Sequence, residues 1–258
     1  MPTDILLRQD DHGVARLTLN RPAARNALSL ALMADLEAEL DAIESDLRIQ
    51  AVVLAGAGPA FCAGHDLREL HAETRSAAHA ALFEACSRLM QRIVGLRCPV
   101  IAQVHGVATA AGCQLVATCD LAVAAADARF ATPGVNIGLF CSTPMVALSR
   151  AVGRKAAMAM LLTGEPVDAA EAQRIGLVNR VVPPAELATA VDALAAAIAG
   201  KSGSTVALGK RAFYQQAEMG LADAYTYASQ VMATNMGLPD AAEGIGAFLE
   251  KRKPVWAS

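Results

Sequence analysis

Ala51-Val52-Val53-Leu54 and Val100-Ile101-Ala102-Gln103-Val104 each read as a buried strand that runs directly into a loop carrying glycine. The first loop is Gly56-Ala57-Gly58-Pro59 and the second is His105-Gly106-Val107-Ala108-Thr109. A helical pattern from about Ser76 to Leu96 follows the first, and a new helical start follows the second. Leu121–Ala124 and Arg129–Ala131 form a third strand region. Strand, loop and helix thus recur roughly every fifty residues, which restricts the chain to an α/β fold of stacked right-handed units. A short run cannot bury one helix face alone, so each unit must lean on the next.

The N-terminal part fits the same scheme. Ile5–Arg8 and Val14–Leu19 are apolar-rich strands around the hairpin turn Asp10-Asp11-His12-Gly13. Ser29 offers an N-cap, after which Leu30, Met33, Leu36, Leu40 and Ile43 recur at helical spacing. From Pro184 onward strand signals vanish, and helical patterns occupy Leu187–Ala199, Thr205–Ala217, Leu221–Met236 and Ala241–Leu249. The change near Ala199–Ser204 divides the expected core, residues 1–199, from a helical region, residues 200–258.

Composition removes several function classes. A net charge of −3 without a basic cluster gives no electrostatic case for nucleic acid or an anionic membrane surface. No apolar stretch is long enough to span a bilayer, since Gln103, His105 and Gln114 interrupt the strongest one. Met1-Pro2-Thr3-Asp4 has no basic segment leading into an apolar one, so the expectation is a cytoplasmic protein. The 6 cysteines lie mostly in apolar runs without metal spacing and read as reduced, buried thiols. No metal and no cofactor is expected; His12, His71, His79 and His105 have no ligand-like companions and read as loop or surface residues.

Familiar motifs fail on inspection. Phe61 stands where a dinucleotide loop needs its last glycine, and Ala195 where a phosphate loop ending in Gly200-Lys201-Ser202 needs its first. No Gly-x-Ser-x-Gly elbow occurs. The chemistry that fits is stabilisation of an enolate, which needs two N–H donors converging on one carbonyl oxygen, one of them ideally at a helix N-terminus. Ala63-Gly64-His65 and Ala110-Ala111-Gly112 both follow buried strands and are placed to supply them.

At these residues the chain resembles the crotonase (enoyl-CoA hydratase/isomerase) superfamily. Asn20-Arg21-Pro22, Arg25-Asn26-Ala27-Leu28, Phe61–Leu67, His105–Asp120, Phe130-Ala131-Thr132-Pro133 and the ending Phe248–Pro254 match its signatures in order. A closer likeness is to the branch called enoyl-CoA hydratase domain-containing protein three, whose mammalian member is mitochondrial. It rests on the runs Ala111–Ala117 and Thr132–Pro144. The resemblance implies a spiral of ββα repeats with a C-terminal helical trimerisation region, assembly as trimers or dimers of trimers, and an acyl-CoA or enoyl-CoA thioester as ligand. It further implies that the amides of His65 and Ala111 grip the thioester oxygen. His65, Asp66, Leu67 and Arg68, with Ala63, would line the coenzyme A, Arg25 would lie near its phosphates, and Lys251 and Lys253 would supplement that contact, as from a neighbouring subunit.

Two departures matter. The family places glutamates where this chain has Gln114 and Gly134. Gln114 lies three residues past Ala111 and returns to the same helix face, but glutamine neither takes nor gives a proton. Each lost acid/base group is worth about 10²–10⁴-fold, so two-glutamate hydration is expected to be severely weakened. Gln114 is left to orient water or the acyl group. Ser142 either supplies a hydroxyl where some relatives carry a carboxylate or belongs to a turn with Asn136 and Thr143, Pro144 starting the next helix. Cys113 and Cys141 read as packing thiols. Ala111 replaces a usual glycine; a positive φ there would cost about 1 kcal/mol, so Ala111 is expected to open a helix with negative φ. The expected activity is that of an acyl-CoA enzyme of the hydratase/isomerase class. The alternatives are an attenuated or non-catalytic acyl-CoA-binding protein and another enolate reaction, decarboxylation or thioester hydrolysis.

Overall fold

The computed structural model describes residues 4–257; Met1–Thr3, on which the reading of the N-terminus rests, lie outside the described residues. Strands β1 (Leu6–Asp11) and β2 (Val14–Leu19) form the expected antiparallel hairpin, turned at His12 and Gly13, both of which have positive φ. Alternation in β2 puts Ala15, Leu17 and Leu19 inward and leaves Val14, Arg16 and Thr18 half-buried.

Helix α1 (Leu30–Ser45) starts where the Ser29 hydroxyl accepts from Leu32 N at 3.2 Å, and it buries Leu32, Met33, Leu36, Leu40 and Ile43 as one stripe. Arg97 closes its far end, donating to the carbonyls of Ile49 (2.6 Å), Ile43 and Asp46. Strand β3 (Ala51–Gly56) is buried on both faces and lies parallel to β2. Helices α2 (Leu67–Ala72) and α3 (Ser76–Gly95) follow, then β4 (Val100–Val104), parallel to β3.

Residues 105–109 are not wholly a loop. Val107–Thr109 is a short strand, β5, and helix α4 (Ala111–Thr118) begins two residues later. With β6 (Leu121–Ala125) and β7 (Arg129–Ala131), α5 (Ser142–Ala151), α6 (Arg154–Thr163), β8 (Val167–Asp168), α7 (Ala169–Arg174) and β9 (Arg180–Val182), the chain builds two sheets. One has the order β1-β2-β3-β4-β6-β9 and the other β5-β7-β8. Val107–Thr109 pairs in parallel with Arg129–Ala131, a match between distant triplets that no local periodicity reveals. The main apolar cluster fills one side of the larger sheet, and α8 (Leu187–Ala199) covers the other with Val191 and Ala195 against Val53, Ile101 and Val123.

Helices α9 (Gly203–Gln216), α10 (Leu221–Met236) and α11 (Pro239–Leu249) agree with the sequence reading to within two residues at each end. They bury little: Tyr225, Met232, Phe248 and Leu249 are exposed. No helix among the described residues is long and apolar enough to cross a membrane.

Candidate functional site

Two segments of the chain that meet beyond the end of β3 build the site. Cys62 is zipped onto β5, donating to Val107 O at 3.1 Å and accepting from Thr109 N at 3.0 Å. Thr109 Oγ1 then donates to Ala63 O at 3.1 Å, so residues 62–65 run beside residues 107–111. Glycines make the approach possible. A Cβ on Gly64, which has φ 99°, would lie 2.9 Å from Ala110 Cβ and 3.4 Å from Ala111 N. A Cβ on Gly112 would collide with the Cys62 carbonyl oxygen.

The directions of two amides follow from their planar peptide units. The Gly64 carbonyl accepts from Leu28 N at 2.7 Å, which turns the His65 N–H to the opposite side. The Ala110 carbonyl accepts from Gln114 N at 3.0 Å along the axis of α4, so the Ala111 N–H points out of the helix N-terminus. Among the described residues neither N–H has an acceptor. Ala111 opens α4 without positive φ; the unusual backbone falls one residue earlier, on Ala110 at φ 50°. That residue is pinned by its own amide, which donates to Ala131 O at 2.9 Å.

Arg21 and Asn26 hold the loop and have roles that the sequence motifs did not reveal. Arg21 donates to Asp66 Oδ2 at 2.8 Å and to the Ala27 carbonyl. Asp66 also caps α2 through Arg68 N, at 3.1 Å, and these contacts hold its carboxyl below the usual range, the Arg21 hydrogen bond contributing most. Buried Asn26 donates to Ala57 O and Ala60 O, at 2.9 and 2.7 Å. Arg25, Leu67 and Arg68 are exposed around this loop, and the guanidinium groups of Arg25 and Arg68 make no ion pair with described residues. Lys251, also exposed, shares no bond with the loop in this chain. Its neighbourhood is tied elsewhere, by Arg252 to Glu243 and by Trp256 to Gly200 O.

The His65 ring packs edge-on against Phe83 of α3, with ring centroids 5.4 Å apart. Its Nε2 is buried without a partner, and burial pushes its pKa down from the ordinary 6.5 to about 4. The unfolded chain therefore binds more protons between those two values, and folding stability is lost as pH falls from 6.5 towards 4. A His65→Gln variant is expected to show a flatter decline in urea midpoint over that interval; an identical decline would show that His65 is not the group responsible.

Gln114 is buried on the face of α4 towards α3, its Oε1 3.8 Å from the Cys86 thiol, and its Nε2 donates to none of the described residues. A cavity of about 1120 Å³ lies behind it, between the α3–α5 layer and α9–α10; Met90, Val146, Arg150 and Tyr214 are among its walls. Neither His65 nor Ala111 lines that cavity. Gly134 leaves no room for a side chain: a Cβ would lie 2.6 Å from Leu139 O and 2.9 Å from Cys141 Sγ. The second acid position is thus filled by a neighbouring turn, and a glutamate there requires the backbone of residues 134–141 to move.

Ser142 opens α5 as an exposed residue, and its hydroxyl contacts only the Phe140 carbonyl, at 3.3 Å. Neither Ser142 nor Thr143 caps that helix by a side chain, and Pro144 sits inside it rather than at its start. Asn136 packs near Gly164. All 6 cysteines are buried and free; desolvation raises Cys62, Cys86 and Cys113 to about 12, so they offer no ready nucleophile. Among the described residues no cluster of His, Cys, Asp or Glu is arranged to hold a metal.

The family profile described as enoyl-CoA hydratase/isomerase matches residues 9–258. The mitochondrial enoyl-CoA hydratase domain-containing protein 3 of Homo sapiens is 50% identical over 99% of this chain and 84% of its own length. The Xenopus laevis protein of the same name is 48% identical over 98% of this chain and 86% of its own. A crystal structure of an enoyl-CoA hydratase from Mycobacterium smegmatis superposes with a TM-score of 0.97 at 54% identity, covering 99% of this chain and all of the other. The human domain-containing protein 3 structure gives 0.96 at 47% identity, covering 98% of this chain and 100% of that one. These names overturn the cytoplasmic expectation, because the relatives from human, frog, rat and mouse are called mitochondrial. The expectation rested on the residue types at positions 1–4, which do not decide a compartment.

Proposed function

Because the chain belongs to the enoyl-CoA hydratase/isomerase family and has its crotonase fold, we propose that it binds an acyl-CoA thioester and stabilises the enolate of that thioester. The observation that carries this reading is the pair of amides, His65 N–H and Ala111 N–H, on adjacent segments and without acceptors among the described residues. Fixed donors of this kind favour a developing oxyanion because they need no reorganisation when charge appears. Ala111 is buried and His65 half-buried, so the thioester approaches from the His65 side, past Leu67 and Arg68. Arg25 and Arg68 supply unpaired positive charge for the coenzyme A phosphates, and Lys251 adds to it from a neighbouring copy. Ala63 and Asp66 support the coenzyme A-facing loop through its backbone. The exposed apolar residues of α10 and α11 favour association of copies, as trimers or dimers of trimers.

Hydration by two carboxylates is not the reaction this site favours. Gln114 is neutral and position 134 is closed by Leu139 and Cys141. Ser142 is assigned no catalytic part, since its hydroxyl is exposed and turned to Phe140. Calorimetry with butyryl-CoA and loss of the crotonyl-CoA absorbance test both halves of the reading. Saturable butyryl-CoA binding with hydration at least a hundredfold below that of a two-glutamate relative is expected. Absence of binding by any acyl-CoA overturns the first half, and rapid hydration overturns the second.

A further inference from the structure

The cavity behind Gln114 lies apart from the paired amides, since neither His65 nor Ala111 lines it. Its walls change character from one end to the other. Met90, Leu96, Val116 and Leu177 are buried and make the inner wall apolar. Buried Gln114 stands among them, so this end is narrow and admits a thin chain rather than a folded surface. At the outer end Val146, Phe213 and Met219 line the space while exposed to solvent. A volume of about 1120 Å³ is far larger than the voids left by core packing and stands at the upper end of small-molecule sites.

Unmatched positive charge gathers at the rim. Two charged groups that border the cavity are spent inside the fold. Arg97 donates to the carbonyls of Ile43, Asp46 and Ile49, and Asp120 accepts from Lys210, Tyr214 OH and Val100 N. The other three, Arg150, Arg211 and Glu218, are exposed. Arg150 meets Glu218 at 3.2 Å with more than half of each side chain in water, so the pair holds weakly. Arg211 makes no ion pair and no hydrogen bond with the described residues. One carboxylate thus faces two guanidinium groups at the edge of an apolar hole.

We propose that this cavity binds an amphipathic monocarboxylate, a free fatty acid. Its alkyl tail lies along Met90, Val116 and Leu177, and its carboxylate rests on Arg211, joined by Arg150 when that residue leaves Glu218. Burial of the tail drives the binding, and the planar guanidinium fork selects a carboxylate head. Helix α4 separates this ligand from the paired amides, because Ala111 opens the helix while Val116 and Ala117 line the cavity. The site is therefore a second one, filled while an acyl-CoA is bound, and it does not depend on the thioester reading.

The full-length protein is titrated by calorimetry with octanoate, decanoate and dodecanoate, and the dodecanoate titration is repeated with saturating butyryl-CoA. Saturable binding that tightens about threefold for each added methylene is expected, with the dodecanoate affinity unchanged by butyryl-CoA. Dodecyltrimethylammonium, the same tail with a cationic head, is expected to bind about tenfold more weakly or worse, and Arg211→Glu to weaken dodecanoate by about the same factor. Arg154→Glu makes the same charge change outside the cavity and is expected to bind like the parent. Competition by butyryl-CoA puts the acid in the thioester site and overturns the proposal. Equal binding of the cationic amphiphile, or parental affinity in Arg211→Glu, overturns it as mere apolar adhesion, and absence of saturable binding overturns it outright. The head-group and Arg211 comparisons need no thioester, so failure of butyryl-CoA to bind removes the earlier reading alone and leaves them to decide this one.

Discussion

Gly112→Ala is expected to cost about 3 kcal/mol of folding stability and at least tenfold in acyl-CoA affinity, although it adds a single methyl group. In most helices the exchange is favourable by up to about 1 kcal/mol. Here the new Cβ collides with the Cys62 carbonyl oxygen and lies 2.7 Å from its carbonyl carbon. These are backbone atoms, and the Cys62 carbonyl is committed to Thr109 N. The strain can be relieved only by moving α4 away from residues 62–65, which also separates the His65 and Ala111 amides. Stability and binding therefore fall together. Gly95→Ala is the control, because a Cβ there meets nothing within 4 Å. Urea unfolding and calorimetry on the two variants check the expectation; a Gly112→Ala protein that is stable and binds like the parent contradicts the close approach on which the site depends.

Lys210→Met is expected to cost about 3 kcal/mol, with the effect concentrated in the C-terminal helices. Lys210 is the tie between α9 and the core. Its Nζ lies 2.7 Å from Asp120 Oδ2 and donates to Ile93 O and Cys98 O at 3.0 and 3.1 Å, with only 6% of the side chain exposed. Tyr214 OH donates to the other Asp120 oxygen at 2.9 Å. Methionine keeps much of the volume but leaves a half-buried carboxylate without its cation, and removing one partner of such a pair is the expensive change. Because α9 buries no residue fully and α10 only Ala224, apolar packing on the core compensates little. Hydrogen exchange should show loss of protection in residues 203–216 before the strands of the large sheet. Uniform loss across the molecule, or none, would show that this cluster does not anchor the helical region.

α1, α3 and α8 are legible in the sequence because their burial is periodic, whereas α9–α11 follow from helical residue patterns although they bury few side chains. Val107–Thr109 reads as loop in the sequence because a three-residue strand has no period to detect, and its partner, Arg129–Ala131, is distant in the chain. The segment 142–182 carries short helices and strands whose order depends on tertiary contacts. At the site, motif positions point to His65, Ala111, Gln114 and Gly134, and the structure adds their surroundings. That a side chain is excluded at Gly134 depends on where Leu139 O and Cys141 Sγ fold back, which residue types do not encode. The Arg21–Asp66 contact spans 45 positions and was hidden for the same reason. Positive φ falls on Ala110 and not on Ala111, since the turn into α4 is made one residue before the helix opens.

The most direct test of the central claim is the carbonyl resonance of butyryl-CoA labelled with carbon-13 at C1, recorded free and bound to the unmodified protein. Two amide donors converging on the thioester oxygen polarise the carbonyl, so the bound signal is expected downfield of the free one. A ligand that binds saturably with its carbonyl signal unmoved would contradict the account, whatever rate the protein shows with any substrate.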